Sequence, residues 1–371
     1  MKIERIMLTT GGTGGHIFPA LAVAEEVRRR VSSAEIVFMG SSTGPEAELA
    51  AQAGLEFAAL PVRGVFGRGL RAVSALAGMG LALLRAAAIL RKARPHIVVG
   101  FGGYAGFAGV FAAQLMGMPT AVHEQNSIAG MSNRILARRA DRVCTSLPMT
   151  AKLRTRMEAV CTGNPVRAAI ARLADSGPRT PGAAGRRVLI MGGSQGSRAI
   201  NMAVCAILPL LLDAGIRLWH QTGAADLENV REAYHKAGAD AMRVEPFVTD
   251  MAGAYAWADL AVCRAGATSL AELAAAGVPA LFIPFPQATH DHQTHNARQM
   301  ALAGAAAYIA QPDIQEPHGD PVVLARSMLA LAGDPETLCS MSAAARSLAR
   351  PDAAARLVDE LERVVASRRR G

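Results

Sequence analysis

Aromatics, cysteines and lysines are all scarce in this chain, and each shortage narrows what it can be. Phe, Trp and Tyr make up 4% of the 371 residues. No zinc-finger spacing, helix-turn-helix pattern or aromatic RNA-binding motif is present, so no nucleic-acid partner is expected. The five cysteines (Cys144, Cys161, Cys205, Cys263 and Cys339) are odd in number and never form a C-x-x-C pair. That excludes a disulfide framework and a zinc ribbon, and it fits a reducing cytoplasm. The best apolar run, 72–90, is interrupted by Arg85, and its uncharged part falls short of the roughly 18 residues a membrane span requires. The N-terminus runs into a strand-like segment within a few residues, so no secretory leader is expected. Also missing are a P-loop ending in Gly-Lys-Ser/Thr and a G-x-G-x-x-G fingerprint with an acidic residue about 20 positions on. No D-x-D carboxylate pair marks a metal site. His290, His292 and His295 lie close together, but they share a loop-to-helix segment with Asp291 and Gln293. Neither a metal nor any other cofactor is expected.

What is abundant points elsewhere. Hydrophobic residues reach 51%, with an alanine- and leucine-rich bias toward helix, and the formal charge is +9. Arginine carries nearly all of it, since Lys occurs only at positions 2, 92, 152 and 236. A basic excess attracts an anionic partner, here a phosphorylated substrate or an anionic bilayer. The length exceeds what one hydrophobic core usually supports, so two α/β domains are expected.

The most informative stretch is Gly11-Gly12-Thr13-Gly14-Gly15-His16, between the apolar Ile6-Met7-Leu8 and the helically spaced Ala20, Ala24, Val27 and Val31. This is a strand, a glycine turn and a helix in order. Glycine lets a ligand approach the main chain, and the helix start behind the turn presents unpaired N–H groups and a positive dipole end. Such a turn suits an oxygen-rich or anionic ligand. Two further turns follow the same design. Gly100-Phe101-Gly102-Gly103-Tyr104 follows Ile97-Val98-Val99, and Gly192-Gly193-Ser194-Gln195-Gly196 follows Val188-Leu189-Ile190-Met191. Any α/β fold uses glycine in tight turns, but three turns that each close an apolar strand argue for a ligand role.

Strand-like and helix-like segments alternate almost throughout. Strands are expected near 4–10, 35–40, 97–100, 119–123, 141–145 and 159–162, with helices near 19–31, 71–93, 105–117 and 131–139. A second series places strands near 187–191, 216–221, 242–246, 259–263, 279–283 and 306–309. Such alternation predicts two parallel, doubly wound sheets. The first series ends at Gly163-Asn164-Pro165, and 175–187 reads as a Pro- and Gly-rich loop. The expected domains are therefore 1–163 and 164–348, followed by a helix near 351–367 that has no partner strand.

Ligands of open α/β sheets bind beyond the carboxyl ends of the strands, where all three glycine turns fall. Two facing domains then set these turns on opposite walls of one cleft. The second half adds Arg264-Ala265-Gly266-Ala267-Thr268-Ser269-Leu270-Ala271-Glu272 after the strand Leu260-Ala261-Val262-Cys263. Glu272 is expected in about the first turn of a helix. There its carboxylate either accepts hydrogen bonds from vicinal hydroxyls such as those of a ribose, or simply complements the helix dipole.

Residues 11–16, His123-Glu124-Gln125-Asn126, Gly163-Asn164-Pro165-Val166-Arg167, 192–196, 264–272 and Asp291-His292-Gln293 occur in one order. Together, and over nearly the whole chain, they resemble the MurG family of N-acetylglucosaminyltransferases of bacterial peptidoglycan synthesis. The resemblance implies an α/β GT-B fold: two Rossmann-like doubly wound parallel-sheet domains facing across a cleft, with a C-terminal helix (about 349–371) returning to the first. It implies a hexosyltransferase that moves GlcNAc from UDP-GlcNAc, with inversion, to the C4 hydroxyl of an undecaprenyl-pyrophosphoryl MurNAc-pentapeptide. The lipid-linked acceptor and an anionic membrane surface would meet the first domain, and the donor would meet the second. A peripheral place on the cytoplasmic face of the inner membrane, beside other cell-wall synthesis proteins, is implied as well.

Carried over residue by residue, the family's donor site falls on Thr13, Gly14, Gly15, Asn126, Arg167, Ser194, Val248, Ala267, Thr268, Ser269, Leu270, Ala271, Glu272 and Gln293. Glu272 would hold the ribose, Val248 would present its backbone to uracil, and Asn126 and Gln293 would reach the sugar. Ser194, nearby N–H groups and Arg167 would meet the diphosphate. The second turn, Gly102, Gly103 and Tyr104, falls to the acceptor diphosphate. The segment 284–296 departs from the family pattern, because Pro286-Gln287-Ala288-Thr289-His290 is slightly longer and Thr294 replaces a Gln.

The implied chemistry requires a base for the acceptor hydroxyl, passage through an oxocarbenium-like centre, and a stabilised departing diphosphate. His16 is the candidate base, since an unperturbed pKa of about 6.5 suits the task at neutral pH. The competing role is a histidine that caps the helix or orients the turn. Two other readings share these residues: a UDP-GlcNAc 2-epimerase without a lipid-acceptor face, and a non-catalytic basic protein of the membrane surface. Over 62–94, placing residues at about 100° per step sets Leu76, Met79, Leu83 and Leu90 on a core-facing stripe. Arg71, Arg85 and Lys92, flanked by Leu81, Leu84 and Ile89, form a mixed face suited to anionic lipid, or else a solvated basic side.

Overall fold

Strands covered on both faces are apolar along their whole length, and the runs picked out above assemble into two such sheets. The computed structural model describes residues 2–62, 72–148, 150–177, 186–288 and 291–368, with backbone alone for 72–77. The chain divides into two compact units, one reaching Ala168 and resuming at Asp352, the other Ala169–Pro351.

The first unit holds β1 (Arg5–Thr9), β2 (Glu35–Ser41), β3 (Glu56–Leu60), β4 (Ile97–Gly100), β5 (Thr120–Glu124), β6 (Arg142–Thr145) and β7 (Val160–Cys161). Their order is β3-β2-β1-β4-β5-β6-β7, and Met7 lies opposite Val37 on one side and Val98 on the other, all in parallel register. Alternate residues serve opposite layers. Ile6 and Leu8 join Ile17, Val23 and Val27 of the helix Gly14–Arg30, whereas Met7 joins Ala82, Ala86, Leu90 and Val110.

The second unit holds β8 (Arg187–Met191), β9 (Arg217–Gln221), β10 (Arg243–Glu245), β11 (Leu260–Cys263), β12 (Ala280–Phe282) and β13 (Ala306–Tyr308). The order β10-β9-β8-β11-β12-β13 repeats the winding of the first six strands of the other sheet, although the two halves share no visible sequence repeat. The last helix, Ala353–Arg368, belongs to the first unit. Leu357, Leu361 and Val364 are buried in the same cluster as Ile17 and Val27. Arg30 braces it, donating to Asp359 Oδ1 at 2.7 Å and to the Ala355 carbonyl at 2.8 Å. Partly exposed ion pairs contribute little, so the apolar stripe holds this helix in place.

Three local expectations are corrected. The strand β3 and the helix Glu46–Gln52 before it had no counterpart among the expected elements. Glu56-Phe57-Ala58-Ala59-Leu60 has two central alanines and no β-branched residue, so it is a strand because it pairs with β2, Phe57 opposite Phe38, and not by propensity. The first helix begins at Gly14, inside the glycine turn and well before 19. In the helix Ala72–Ala93 the buried seam runs through Ala82, Ala86 and Leu90, with Met79 and Leu83 only partly buried. Ile89, expected beside the basic residues, packs partly on this core, because it stands about 20° around the helix from Ala82. Arg71 lies outside the described residues, as does the Leu76 side chain.

Candidate active site

Each sheet reverses its order once, between β1 and β4 and between β8 and β11. Open α/β sheets bind ligands beyond the carboxyl ends of the strands at such points. The sequence motifs stand there: 11–16 leaves β1, 100–104 leaves β4, 192–196 leaves β8 and 264–272 leaves β11.

In the first unit the His16 ring places Nδ1 3.1 Å from the Gly11 carbonyl. A carbonyl oxygen only accepts, so Nδ1 carries the proton of the neutral ring and Nε2 holds the lone pair. A Cβ added at Gly102 would stand 3.1 Å from Nε2, and one at Gly103 would strike the Gly11 carbonyl. These glycines have φ of 103° and 76°, a region that side-chain-bearing residues rarely adopt. The two turns thus pack backbone to backbone against the imidazole. Tyr104 follows, half-buried on the second core layer. Thr13 and Gly15 are exposed and Gly14 is buried. One amide of the first turn is already occupied, because Gly12 N donates to Glu46 Oε1 at 3.1 Å. Glu46 is fully buried, and no local sequence pattern marks it.

Asn126 is held from behind by buried Glu124. One carboxylate oxygen accepts from Asn126 N at 3.0 Å and Asn126 Nδ2 at 3.2 Å; the other accepts from Gly130 N at 3.0 Å and Asn133 Nδ2 at 2.9 Å. His123, one residue earlier, is buried with Nε2 donating to the Gly163 carbonyl at 3.0 Å. Burial pushes its pKa down to about 4, so it is a neutral strut. Arg167 belongs to the first unit, its guanidinium 4.4 Å above the Phe18 ring.

In the second unit Ser194 is exposed at the tip of its turn, which is closed by Gly196 N donating to the Gly193 carbonyl at 2.8 Å. Ser197 Oγ caps the helix Arg198–Asp213 and accepts from Arg264 at 2.7 Å. Arg264 also donates to the Ile283 carbonyl at 3.0 Å and to Gln311 Oε1 at 2.7 Å. Burial pulls its pKa down to about 10, which leaves it cationic at neutral pH. Among the described residues none of its hydrogen-bond partners is a carboxylate. No local sequence pattern signals this role of Arg264.

Glu272 departs from expectation in position. The helix is Ala267–Ala276 and its first turn has no acidic residue, so Glu272 lies in the second turn and the dipole does not explain it. The carboxylate is buried and Oε2 accepts from Tyr255 at 3.0 Å; Tyr255 had carried no sequence signal. Thr268 is buried beside it, and Ala267, Ser269, Leu270 and Ala271 are half-buried. Val248 buries its side chain, while its backbone N–H and C=O make no hydrogen bond among the described residues. Gln293, in the helix His292–Leu302, accepts from Phe285 N at 3.0 Å through Oε1. Asn296, also missed, is buried and donates to the Ala265 carbonyl at 3.0 Å. His290 lies outside the described residues.

Two parallel α/β sheets of one winding order, each with a pair of motif turns at its reversal, are the GT-B fold. Residues 6–145 match the glycosyltransferase family 28 N-terminal domain and residues 187–357 the family 28 C-terminal domain. The chain is 55% identical over 376 aligned residues to the UDP-N-acetylglucosamine–N-acetylmuramyl-(pentapeptide) pyrophosphoryl-undecaprenol N-acetylglucosamine transferase of Nitratidesulfovibrio vulgaris strain Miyazaki F, covering 99% of this chain and 98% of the relative. It is 32% identical to the crystal structure of Acinetobacter baumannii MurG, with a TM-score of 0.73 and 97% and 99% of the two chains covered. A UDP-N-acetylglucosamine 2-epimerase described as putative, from Listeria monocytogenes, shares the fold at 14% identity, with a TM-score of 0.66 and 97% and 96% covered. The chain belongs to the MurG family, within glycosyltransferase family 28.

The two buried histidines generate a pH dependence. His220, inside β9, is pushed by burial to about 3 and His123 to about 4, both below the unfolded value of about 6.5. As pH falls below 6.5 the unfolded chain takes up protons that the folded chain refuses, so stability drops. Each histidine contributes about 1.4 kcal/mol per pH unit within its window. Denaturant midpoints are expected to fall between pH 6.5 and 5, before most carboxylates titrate. His123→Gln should flatten that slope for the first unit, and an unchanged slope would show that His123 is protonated in the fold.

Proposed function

We propose that this enzyme transfers GlcNAc from UDP-GlcNAc to the C4 hydroxyl of undecaprenyl-pyrophosphoryl-MurNAc-pentapeptide, converting lipid I to lipid II. The full-length likeness to transferases of that name supports the substrates, and the His16 tautomer carries the chemistry. Its Nε2 lone pair takes the proton of the C4 hydroxyl. The oxygen then attacks the anomeric carbon from the face opposite UDP, and the bond to the diphosphate breaks with its electron pair leaving on UDP. A single displacement inverts the centre.

The remaining roles follow the geometry. Tyr255 orients Glu272 for the ribose hydroxyls, beside the helix residues Ala267, Thr268, Ser269, Leu270 and Ala271. The open backbone pair of Val248 suits the edge of uracil. Ser194, the amides of its turn and Arg167 meet the diphosphate, with the Arg264 charge behind. Thr13, Gly14 and Gly15 line the first turn, Asn126 and Gln293 reach the donor sugar, and Gly102, Gly103 and Tyr104 take the acceptor diphosphate. On this reading 1–163 with the last helix (349–371) serves the acceptor, and 164–348 serves the donor. A 2-epimerase would share only the fold at low identity, and a non-catalytic surface protein would leave His16 and Glu272 without a task.

We also propose a peripheral place on the cytoplasmic face of the inner membrane, beside other cell-wall synthesis proteins. No helix of the described residues is long and apolar enough to cross a membrane. Leu81 and Leu84 are 57% and 73% exposed, next to exposed Arg85, and Leu115 is 63% exposed. An apolar and basic face of this kind suits an anionic lipid surface.

Three measurements test these assignments. His16→Ala is expected to lower kcat in a UDP-GlcNAc and lipid-linked acceptor assay by about two to four decades, with UDP affinity kept. Lost affinity with preserved kcat would make His16 a structural residue. Glu272→Ala removes charge-assisted bonds worth roughly 1.5–3 kcal/mol each and should raise the donor KM by at least about tenfold. An unchanged donor KM would remove the ribose role. Arg85→Glu combined with Leu84→Ser should reduce co-sedimentation with anionic vesicles, and equal binding by variant and wild type would place the membrane face elsewhere.

A further inference from the structure

A chain of buried polar side chains runs beneath the Ser194 turn, and the transfer chemistry makes no use of it. His220 is fully buried in β9, with Nδ1 3.0 Å from Tyr234 Oη and Nε2 3.1 Å from Asn201 Oδ1. Asn201 Nδ2 donates to the Thr222 carbonyl at 2.9 Å and to Asp226 Oδ2 at 2.9 Å. Asp226 in turn accepts from Arg198 at 3.0 Å.

The protons in this chain are fixed by donor and acceptor chemistry alone. A carbonyl and a carboxylate can only accept, so both hydrogens of the Asn201 amide are committed to them. Asn201 Oδ1 is then the atom facing His220, and it too only accepts. His220 Nε2 must therefore carry the ring proton. A neutral ring has one such proton, so Nδ1 accepts and Tyr234 donates. Burial, which pushes the pKa of His220 to about 3, keeps the ring neutral. Every bond points the same way, from Tyr234 through His220 and Asn201 to Thr222 and Asp226.

The far end of the chain is the floor of the turn. A Cβ at Gly196 would strike the Thr222 carbonyl, and a Cβ at Gly223 would strike the Gln195 carbonyl. Gly196 has φ of 77° and Gly223 of 78°, so both are held where the backbones touch. Gly223 N and Gln221 Nε2 both donate to the Pro246 carbonyl, at 3.0 and 3.1 Å, two residues before Val248. A shift of the Thr222–Gly223 peptide would displace the Ser194 turn and the Val248 segment together.

We infer that Tyr234 and His220 are positioning residues for nucleotide binding, holding Thr222–Gly223 through Asn201 so that the Ser194 turn and the Val248 backbone are preset for a nucleoside diphosphate. The inference rests on the reading that this turn meets the diphosphate of the donor. It gives a task to two side chains that touch no substrate.

Full-length enzyme provides the test, by donor and acceptor KM and by calorimetry with UDP. Tyr234→Phe deletes one hydroxyl and leaves the shape of the core, so it carries the test even if His220→Phe does not fold. Tyr234→Phe is expected to raise donor KM and the UDP Kd about five- to tenfold, and His220→Phe more than that, with acceptor KM unchanged. His220→Gln presents a donor nitrogen to Asn201 and an acceptor oxygen to Tyr234, and it should recover much of the loss. Equal rises in both KM values, or a lowered Tm with donor KM unchanged, would overturn the inference. Detection of a proton on His220 Nδ1 by 15N NMR would also overturn it. Ser194→Ala separates the two levels. Weakened UDP binding in Ser194→Ala with wild-type binding in Tyr234→Phe sinks the inference alone, whereas unchanged binding in Ser194→Ala sinks the diphosphate reading and the inference with it.

Discussion

The constraint on which this structure depends is the crowding of two loops where a parallel sheet reverses its winding. Adjacent strands β1 and β4 both end there, as do β8 and β11, and each is followed by a turn into a helix. Neighbouring parallel strands lie less than 5 Å apart, so the turns meet through their backbones with no room for side chains. At Gly103, across the β1/β4 reversal, the obstacle is the Gly11 carbonyl; at Gly196 it is the Thr222 carbonyl, in the loop that leaves β9 on the other side of β8. Glycine is required at those contacts by neighbouring main chain. The same closeness makes main-chain amides and a few short side chains the surface that each switch point offers.

One winding order therefore supports two chemistries. In the first unit the crowded turns hold an imidazole, and a buried carboxylate, Glu46, already occupies the Gly12 amide. An anion would find that part of the turn taken, which leaves the first turn to present His16. In the second unit the carboxylate beside the Ser194 turn, Asp226, is engaged by Arg198 and Asn201. Arg264 stands behind the turn's cap through Ser197, and a helix N-terminus follows. The first switch point sets an imidazole against backbone, and the second sets a guanidinium behind a helix cap.

How much of this was legible in the sequence depended on the range of the interactions. Strands such as Val188-Leu189-Ile190-Met191 could be read because burial on both faces leaves a local apolar run, whereas β3 owes its existence to pairing with β2 and shows only alanines. The glycine turns, His16 and Glu272 were legible because their signals are short and contiguous. Tyr255 acts 17 positions from Glu272, Glu46 acts 34 from Gly12, and Arg264 acts 67 from Ser197. No local pattern contains such pairs. Glu272 shows the remaining gap: its identity was legible, but its turn of the helix depended on where the helix begins, and helix ends are poorly specified by sequence.

Nearer partners have an effect of their own, which is to fix which polar atom of a side chain is left over. The Gly11 carbonyl accepts a hydrogen bond from His16 Nδ1–H, so Nε2 is the acceptor nitrogen. Glu124 accepts a hydrogen bond from Asn126 Nδ2, which sets the amide so that Oδ1 is its acceptor end. Phe285 N occupies Gln293 Oε1, so that amide offers Nε2 as a donor. Flipping either amide would set oxygen against carboxylate or nitrogen against N–H, and a wrongly paired polar group costs about 1–3 kcal/mol when buried. A hydroxyl-rich sugar can donate or accept at every oxygen, so it imposes no polarity of its own. Polarity at the site must be supplied by the protein, and here it is written into side chains that substrate need not touch: the buried carboxylate of Glu124 behind Asn126, and the phenol of Tyr255 behind Glu272.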